Sequence, residues 1–215
     1  MTPFRRAKVF LETLRESGVE TLFLSAPKKE TPKETLSQLK KEVLVCTQCD
    51  ELVRNRHSVV FGSGNPQAKL VFVGEAPGAE EDRQGLPFVG PAGQLLTKMI
   101  EAIQLRREEV FIANVLKCRP PGNRPPQPNE IRNCEPYLVR QLSLIRPKLI
   151  CALGTFAAQT LLKTQAPISS LRGKVHDYQG IPVICTFHPA YLLRNPAEKR
   201  KAWEDLKKLR SLLNQ

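Results

Sequence analysis

Apolar residues recur along this chain in two rhythms, and each change of rhythm marks an element. Short unbroken apolar runs stand at residues 70–73 (LVFV), 110–116 (VFIANVL), 148–153 (KLICAL) and 183–187 (VICTF). Runs of this length, rich in Val, Ile and Phe and closed by turn residues, read as buried strands. Between them, apolar positions repeat at helical spacing: Leu95, Leu96, Met99 and Ile103; then Ile131, Cys134 and Leu138; then Phe156, Ala157, Thr160 and Leu161; finally Trp203, Leu206 and Leu213 in a long basic helix. Upstream, a helix from Thr35 puts Leu36, Leu39, Val43 and Leu44 on one side. Before it, Phe4, Ala7, Leu11 and Leu14 line one face of a helix that Gly18 ends. An apolar segment, 21–24, and a Pro- and Lys-rich linker, 26–32, follow. Residues 169–180 are polar and turn-rich, a candidate hairpin. Strands alternating with helices predict an α/β fold whose sheet is mainly parallel and covered on both faces. Residues 1–34 read as an extension and 35–215 as the main domain.

The chain is organised around residues 70–96, LVFVGEAPGAEEDRQGLPFVGPAGQLL. The strand stops at Gly74, and Glu75, Ala76, Pro77 and Gly78 make a turn. The acids Glu80, Glu81 and Asp82 come next. A Pro-stiffened return, 85–90, then carries an exposed-looking Phe88 into the next helix. Parallel sheets place ligands beyond the carboxyl ends of their strands, and loops this long without structure are usually functional. A site is therefore expected here, ahead of a plain connection with solvated acids and a core Phe. Asn114 is polar inside an apolar run, so it is either a satisfied core amide or a ligand reader. A loop at 119–128 holds five prolines and is stiff; Asn129 can cap the helix after it. The fourth apolar run ends in His188-Pro189.

Charge and cysteines narrow the picture. The net charge is +12 over 215 residues, which points to a polyanionic partner, nucleic acid first, against the plain alternative of a merely basic surface. An apolar share of 41% supports a sizeable core, and no run approaches the roughly 18 apolar residues of a membrane span. No secretory signal is visible, so the expected location is cytoplasmic. Six cysteines in such a chain argue against a disulfide framework and for metal or core thiols. Cys151 and Cys185 lie within strands and read as inert. Cys46, Cys49, Cys118 and Cys134 remain as ligand candidates. Zinc is often held by two tight C-x2-C knuckles, and only one exists here. An iron–sulfur cube accepts ligands from more distant segments.

The motifs GEAPGAEEDRQGLPFVGPAGQLL, the Asn114 strand, C-x2-C with C-x15-C, and HPAYLLRNP together resemble the iron–sulfur uracil-DNA glycosylases, family 4 of their superfamily, over residues 36–213. Residues 1–34 inherit nothing from the resemblance. It implies a three-layer α/β/α fold with a central four-stranded parallel sheet. It implies a [4Fe–4S] cluster on Cys46, Cys49, Cys118 and Cys134, structural rather than redox-active. It implies excision of uracil from single- or double-stranded DNA, leaving an abasic site.

The residues suit that chemistry. A base in a duplex must be flipped into a pocket to be reached. Phe88 offers a stacking face, and the Asn114 amide complements N3–H and O4 of uracil. His188 can donate to O2, where negative charge gathers as the bond breaks. Backbone N–H groups of Glu75 and Ala76 can hold the base edge. In the best-known branch of the superfamily this turn carries an Asp that handles the water, and Ala76 takes its place here. The carboxylate is then Glu75 or Glu81, or backbone positions the water; Glu81 alternatively walls off C5 and excludes thymine. Leu192 and Leu193, on a loop after His188, are wedge candidates. Arg119, Arg124 and Arg194 are expected at phosphates. Tyr191 reads as a core aromatic at least as readily as a site residue. A monomer in the nucleoid of a prokaryote-like cell is expected, with the extension a candidate dock for a protein partner.

Three rivals differ in chemistry. A metal-stapled nucleic-acid-binding module shares the cysteines and the charge but gives Phe88, Asn114 and His188 no reason to converge. A nucleotide-binding enzyme lacks G-x-G-x-x-G, and the acids of this turn repel phosphate. A glycosylase of broader deaminated-base specificity is the close alternative.

Overall fold

The computed structural model describes residues 34–214. The segments read at 1–18, 21–24 and 26–32 lie outside them. In chain order the described residues form α1 (Leu36–Leu44), α2 (Asp50–Asn55), β1 (Ser63–Gly64), β2 (Leu70–Gly74), α3 (Ala79–Gln84), α4 (Pro91–Ala102), β3 (Phe111–Asn114), α5 (Pro128–Ile145), β4 (Leu149–Leu153), α6 (Thr155–Leu162), α7 (Ile168–Leu171), β5 (Val175–Tyr178), β6 (Ile181–Thr186), α8 (Pro189–Arg194) and α9 (Lys199–Leu213).

The strands make one six-stranded sheet in the order β1-β3-β2-β4-β6-β5. Its four inner strands are parallel, as expected. The expected four-stranded sheet is the middle of a larger one, because β1 and β5 add antiparallel edges. β1 is only Ser63 and Gly64, too short to carry a pattern, and β5 is a half-exposed VHDY. The hairpin expected within 169–180 is displaced: 168–171 is helix α7, and β5 pairs instead with β6, which follows that stretch. The turn residues between β5 and β6, Gln179 and Gly180, have φ of 52° and 85°, the left-handed pair that matches strand twist.

Every residue of β2, β3 and β4 is buried, because helices cover both faces. Alternation sorts the side chains. Val71, Val73, Ile150 and Ala152 pack with Leu39 and Val43 of α1, Leu138 and Leu142 of α5 and Ala157 of α6. Leu70, Phe72, Cys151 and Leu153 pack with Leu96 and Ile100 of α4 and Leu206 and Leu209 of α9. At about 25 cal/mol per Å² these two layers supply most of the driving force for folding.

Local signals set the helix ends. Thr35 caps α1: its hydroxyl accepts from the Gln38 amide at 3.2 Å while its own N–H donates to Gln38 Oε1 at 2.8 Å. The loop after β2 is not structureless. Glu80, Glu81 and Asp82 sit in the first turn of α3, where the helix dipole favours acids, and Gly85 ends it at φ 69°. The polar stretch from Asp50 forms α2. The cap of α5 is Gln127, two residues before the expected Asn129, because Pro128 fits the first helical position. The segment after His188 is helix α8 rather than a loop, again opened by a proline.

Connections from β2 run outward to β3 on one side, then back across to β4 on the other. The topological switch point thus lies between β2 and β4, and crevices at such points bind ligands.

Candidate active site

Four strand ends converge on one cleft. Gly74 of β2 pairs with Asn114 of β3, and Leu153 of β4 pairs with Thr186 of β6, two residues before His188. Gly74 makes the convergence possible. A Cβ there would stand 2.3 Å from Asn114 Oδ1 and 2.6 Å from the Phe88 ring. The ring and the amide therefore share the space that a side chain would fill.

Phe88 is buried, contrary to its exposed look in sequence, and its φ is 51°. Gly93 allows this: a Cβ on it would lie 1.9 Å from the Phe88 carbonyl oxygen. The strained return is held by two side chains, Glu81 and Arg107, while Asp82 ties α3 to residues 57–58. Glu81 Oε1 accepts from Val89 N–H at 2.9 Å and Gly90 N–H at 3.0 Å, and Oε2 accepts from Gly78 N–H at 3.1 Å. Arg107 donates to the Pro87 carbonyl at 2.6 Å and to Thr97 Oγ1 at 3.1 Å. Buried Asp82 accepts from His57 and Ser58 N–H at 2.9 and 3.1 Å. Glu81 is thus committed to the backbone, which leaves Glu75 as the carboxylate beside the turn. Burial raises the Glu75 carboxyl above the usual range.

Asn114 is 2% exposed, and its Oδ1 is fully buried with no hydrogen-bond partner. Buried acceptors are almost always paired, so an orphan facing a cleft is a place for a donor from a ligand. His188 caps α8: its Nδ1 accepts from Ala190 N–H at 3.1 Å. That bond assigns the proton of the neutral ring to Nε2. Burial pushes the imidazole down to about 4; the positive charge of Arg194 adds to this and Glu81 opposes it. His188 is therefore a neutral donor at pH 7. Its ring lies 5.5 Å from that of Phe88, tilted by 34°. Gly154, at φ 88°, lets it approach, since a Cβ there would stand 2.9 Å from His188 Cβ. The cleft of about 690 Å³ is lined by Glu75, Ala76, Phe88, Asn114, His188 and Arg194 among others, a volume typical of ligand pockets.

Other expected residues are placed differently. Arg124 touches the cleft but is held by Glu130 at 2.6 and 3.0 Å and by Glu51 at 2.9 Å. It ties the proline loop to α5 and α2, so it is not a free phosphate contact. Arg119 is the first residue of the loop and donates to Asn123 Oδ1 within it at 2.8 Å, and Arg194 is exposed. Leu192 is 1% exposed and part of the core, so it is no wedge; Leu193 on the same helix is 43% exposed. Tyr191 is exposed and stacks on Phe187, 5.1 Å away, rather than lying in the core. Thr155, Phe156 and Ser169 also line the cleft. Phe156, expected at helical spacing on the core side, is half-buried against the cleft instead, and nothing in the spacing of Thr155 or Ser169 marks them.

Cys46, Cys49, Cys118 and Cys134 line a second, smaller pocket between α1, α2, the end of β3 and α5. Donors point at three of the four sulfurs. Arg56 Nη1 is 3.1 Å from Cys118 Sγ, Lys117 N is 3.2 Å from Cys134 Sγ, and Asn133 Nδ2 is 3.6 Å from Cys49 Sγ. Such donors suit thiolate acceptors. Burial pushes the Cys134 thiol up to about 12 and raises Cys49 and Cys118. Among the described residues no three Cys, His, Asp or Glu groups are close enough to share a single ion. A tetrahedral zinc site would hold its sulfurs about 3.8 Å apart, from zinc–sulfur bonds of about 2.3 Å. All six cysteines are free, and Cys151 and Cys185 are fully buried on opposite faces of the sheet.

Residues 61–207 match the family model of the Uracil DNA glycosylase superfamily. The chain is 46% identical over 187 residues to the type-4 uracil-DNA glycosylase of Archaeoglobus fulgidus, covering 83% of this chain and 94% of that protein. It is 44% identical over 187 residues to the type-4 enzyme of Thermotoga maritima, covering 85% and 97%. The type-5 enzyme of Pyrobaculum aerophilum is more distant, at 28% over 194 residues, covering 75% and 85%. With four strand ends meeting at Phe88, Asn114 and His188 and this degree of identity, the chain belongs to the uracil-DNA glycosylase superfamily, among its type-4 members.

Proposed function

We propose that this protein flips uracil out of DNA and hydrolyses its N-glycosidic bond, leaving an abasic site. The observation that carries the reading is the orphaned, buried Asn114 Oδ1 beside the Phe88 ring. Uracil brings the missing donor, N3–H, and its O4 accepts from Asn114 Nδ2. Cytosine brings the opposite pattern and would leave both groups unpaired, at about 1–3 kcal/mol each. The base stacks on Phe88. As the glycosidic bond lengthens, charge grows near O2, and neutral His188 donates to it from Nε2. Donors aimed at developing charge in a site that excludes water are the strongest catalytic devices of this kind. Glu75 positions the attacking water, with its carboxylate at the turn where a related branch carries Asp. Glu81 acts one step back, holding the turn and the Phe88 return in place. Leu193 fills the gap left in the base stack, and Arg119 and Arg194 meet phosphates.

The four-cysteine pocket fits a [4Fe–4S] cluster on Cys46, Cys49, Cys118 and Cys134. Bound there, the cluster supplies a cross-link between α1, the end of β3 and α5, and takes no part in bond breaking.

Base release from labelled oligonucleotides carrying uracil, thymine, cytosine, hypoxanthine or xanthine tests the reading. Uracil is released fastest. Asn114→Ala loses that activity while melting as a folded protein; full excision by a stably folded Asn114→Ala protein would refute the role of Asn114.

A further inference from the structure

One residue lines the cysteine pocket and bonds to a residue of the cleft. Lys117 is 1% exposed, lies next to Cys118, and its backbone N–H donates to Cys134 Sγ at 3.2 Å. Its side chain turns back along the chain. Nζ donates to the Asn114 carbonyl at 2.7 Å and to Gln141 Oε1 at 2.6 Å. Gln141 is itself fixed, since its Nε2 donates to the Phe61 carbonyl at 2.8 Å. The ammonium therefore clamps the peptide that follows Asn114. Val115 and Leu116 continue the β2–β3 ladder through that point, donating to Gly74 and Glu75 carbonyls at 2.9 and 3.0 Å.

A buried ammonium is almost never left without a countercharge. Both acceptors of Nζ are neutral, and among the described residues no carboxylate lies within 4.0 Å of it. Lys117 lines the cysteine pocket together with Cys118 and Cys134, and four thiolates around an iron–sulfur core would carry a net negative charge there. We infer that Lys117 is a positioning residue that couples the two pockets: it answers the negative charge of the filled cysteine pocket and, through the Asn114 carbonyl, fixes the base reader. This rests on the cluster and on the Asn114 reading proposed above.

Coupling between sites is reciprocal. If a filled cysteine pocket sets Asn114, a base held by Asn114 must help to retain the cluster. The test uses purified holoenzyme and follows visible absorbance and iron content during exposure to an iron chelator. Excess free uracil should slow cluster loss several-fold in the wild type, and thymine should not. Lys117→Met keeps the apolar stem and removes the charge. It should lose its cluster about tenfold faster and excise uracil about tenfold more slowly in single turnover, the scale of one hydrogen bond to a charged group. Its affinity for uracil-free DNA should be unchanged and its cluster unprotected by uracil. Asn114→Ala should also lose the protection by uracil. The inference is overturned if Lys117→Met changes cluster lifetime without excision, or excision without lifetime, or neither. It is also overturned if uracil fails to protect the wild type, an arm that stands even where Lys117→Met does not fold. Wild-type protein without iron would remove the cluster reading, and iron-loaded protein that releases no uracil would remove the functional one. Either result is seen before any variant is made.

Discussion

Replacing Glu81 distinguishes a carboxylate that acts on water from one that holds the loop. Three backbone N–H groups, from Gly78, Val89 and Gly90, converge on its two oxygens. Hydrogen bonds to a charged group contribute about 1.5–3 kcal/mol each. The side chain borders an open cleft, so water replaces part of this when it is removed. The net loss for Glu81→Ala is about 3 kcal/mol. Glu81→Gln keeps one oxygen for Val89 and Gly90 but turns an NH2 toward Gly78 N–H, and its remaining bonds are neutral; about 2 kcal/mol is lost. For a domain of this size each kcal/mol moves the melting temperature by about 2–4 °C. Glu81→Ala should therefore melt ~6–12 °C lower and Glu81→Gln ~4–8 °C lower. The return from 85 to 90 loosens, Phe88 leaves its left-handed conformation, and single-turnover excision falls about 10–100-fold, the scale of a misplaced positioning group. Glu75→Gln should do the reverse, cutting excision while leaving melting nearly unchanged. Calorimetry beside single-turnover kinetics reads both quantities. A Glu81→Gln protein that melts like wild type yet loses about 10³-fold in excision would refute the holding role and place Glu81 at the water.

The remaining predictions concern charge and the cofactor. His188 has its pKa lowered from 6.5 to about 4, so the unfolded chain binds the extra proton first as pH falls. Its contribution is complete above pH 6.5 and is lost between 6.5 and about 4, amounting to about 3 kcal/mol, and the difference between wild type and His188→Gln in melts across that window isolates it. Cys118→Ser should lose iron and visible absorbance, whereas Cys151→Ser and Cys185→Ser should keep both; colourless wild-type protein with stoichiometric zinc would contradict this. Affinity for uracil-free DNA should fall steeply with salt, and Arg194→Gln should flatten the slope by about one counterion. Arg124→Gln should lower the melting temperature and leave that slope alone, because its partners are Glu130 and Glu51.

Much of this arrangement is legible in the sequence, for physical reasons. Strands β2, β3, β4 and β6 announce themselves because both of their faces are buried, so their runs are apolar almost throughout. β1 and β5 border the sheet, bury little and leave no such trace. Asn114 stands out because a polar residue in an apolar run needs an explanation. Phe88 is recognisable as a site residue but not as buried, since its burial depends on a left-handed backbone that Gly93, five residues later, makes room for. The commitment of Arg124 to Glu51 spans 73 positions and has no local signature. The burial of Leu192 was open to inference, because His188-Pro189 is a cap followed by a first-turn proline. Lys117 reads as one more basic residue in a loop, and only the fold reveals that its charge lies inside.

The orphaned oxygen of Asn114 also sets a ceiling on the resting protein. An unpaired buried acceptor costs about 1–3 kcal/mol, a large share of the margin by which a domain stays folded. On the proposed function, the cleft beside Asn114 is a piece of core that the flipped base completes. Selection for thermal robustness alone would replace Asn114 with Leu or Met, giving a sturdier chain unable to read uracil. This position is therefore one where durability and repair pull in opposite directions. A library screened only for heat resistance should drift away from Asn114, and one screened for survival under uracil load should keep it and gather its stabilising changes elsewhere.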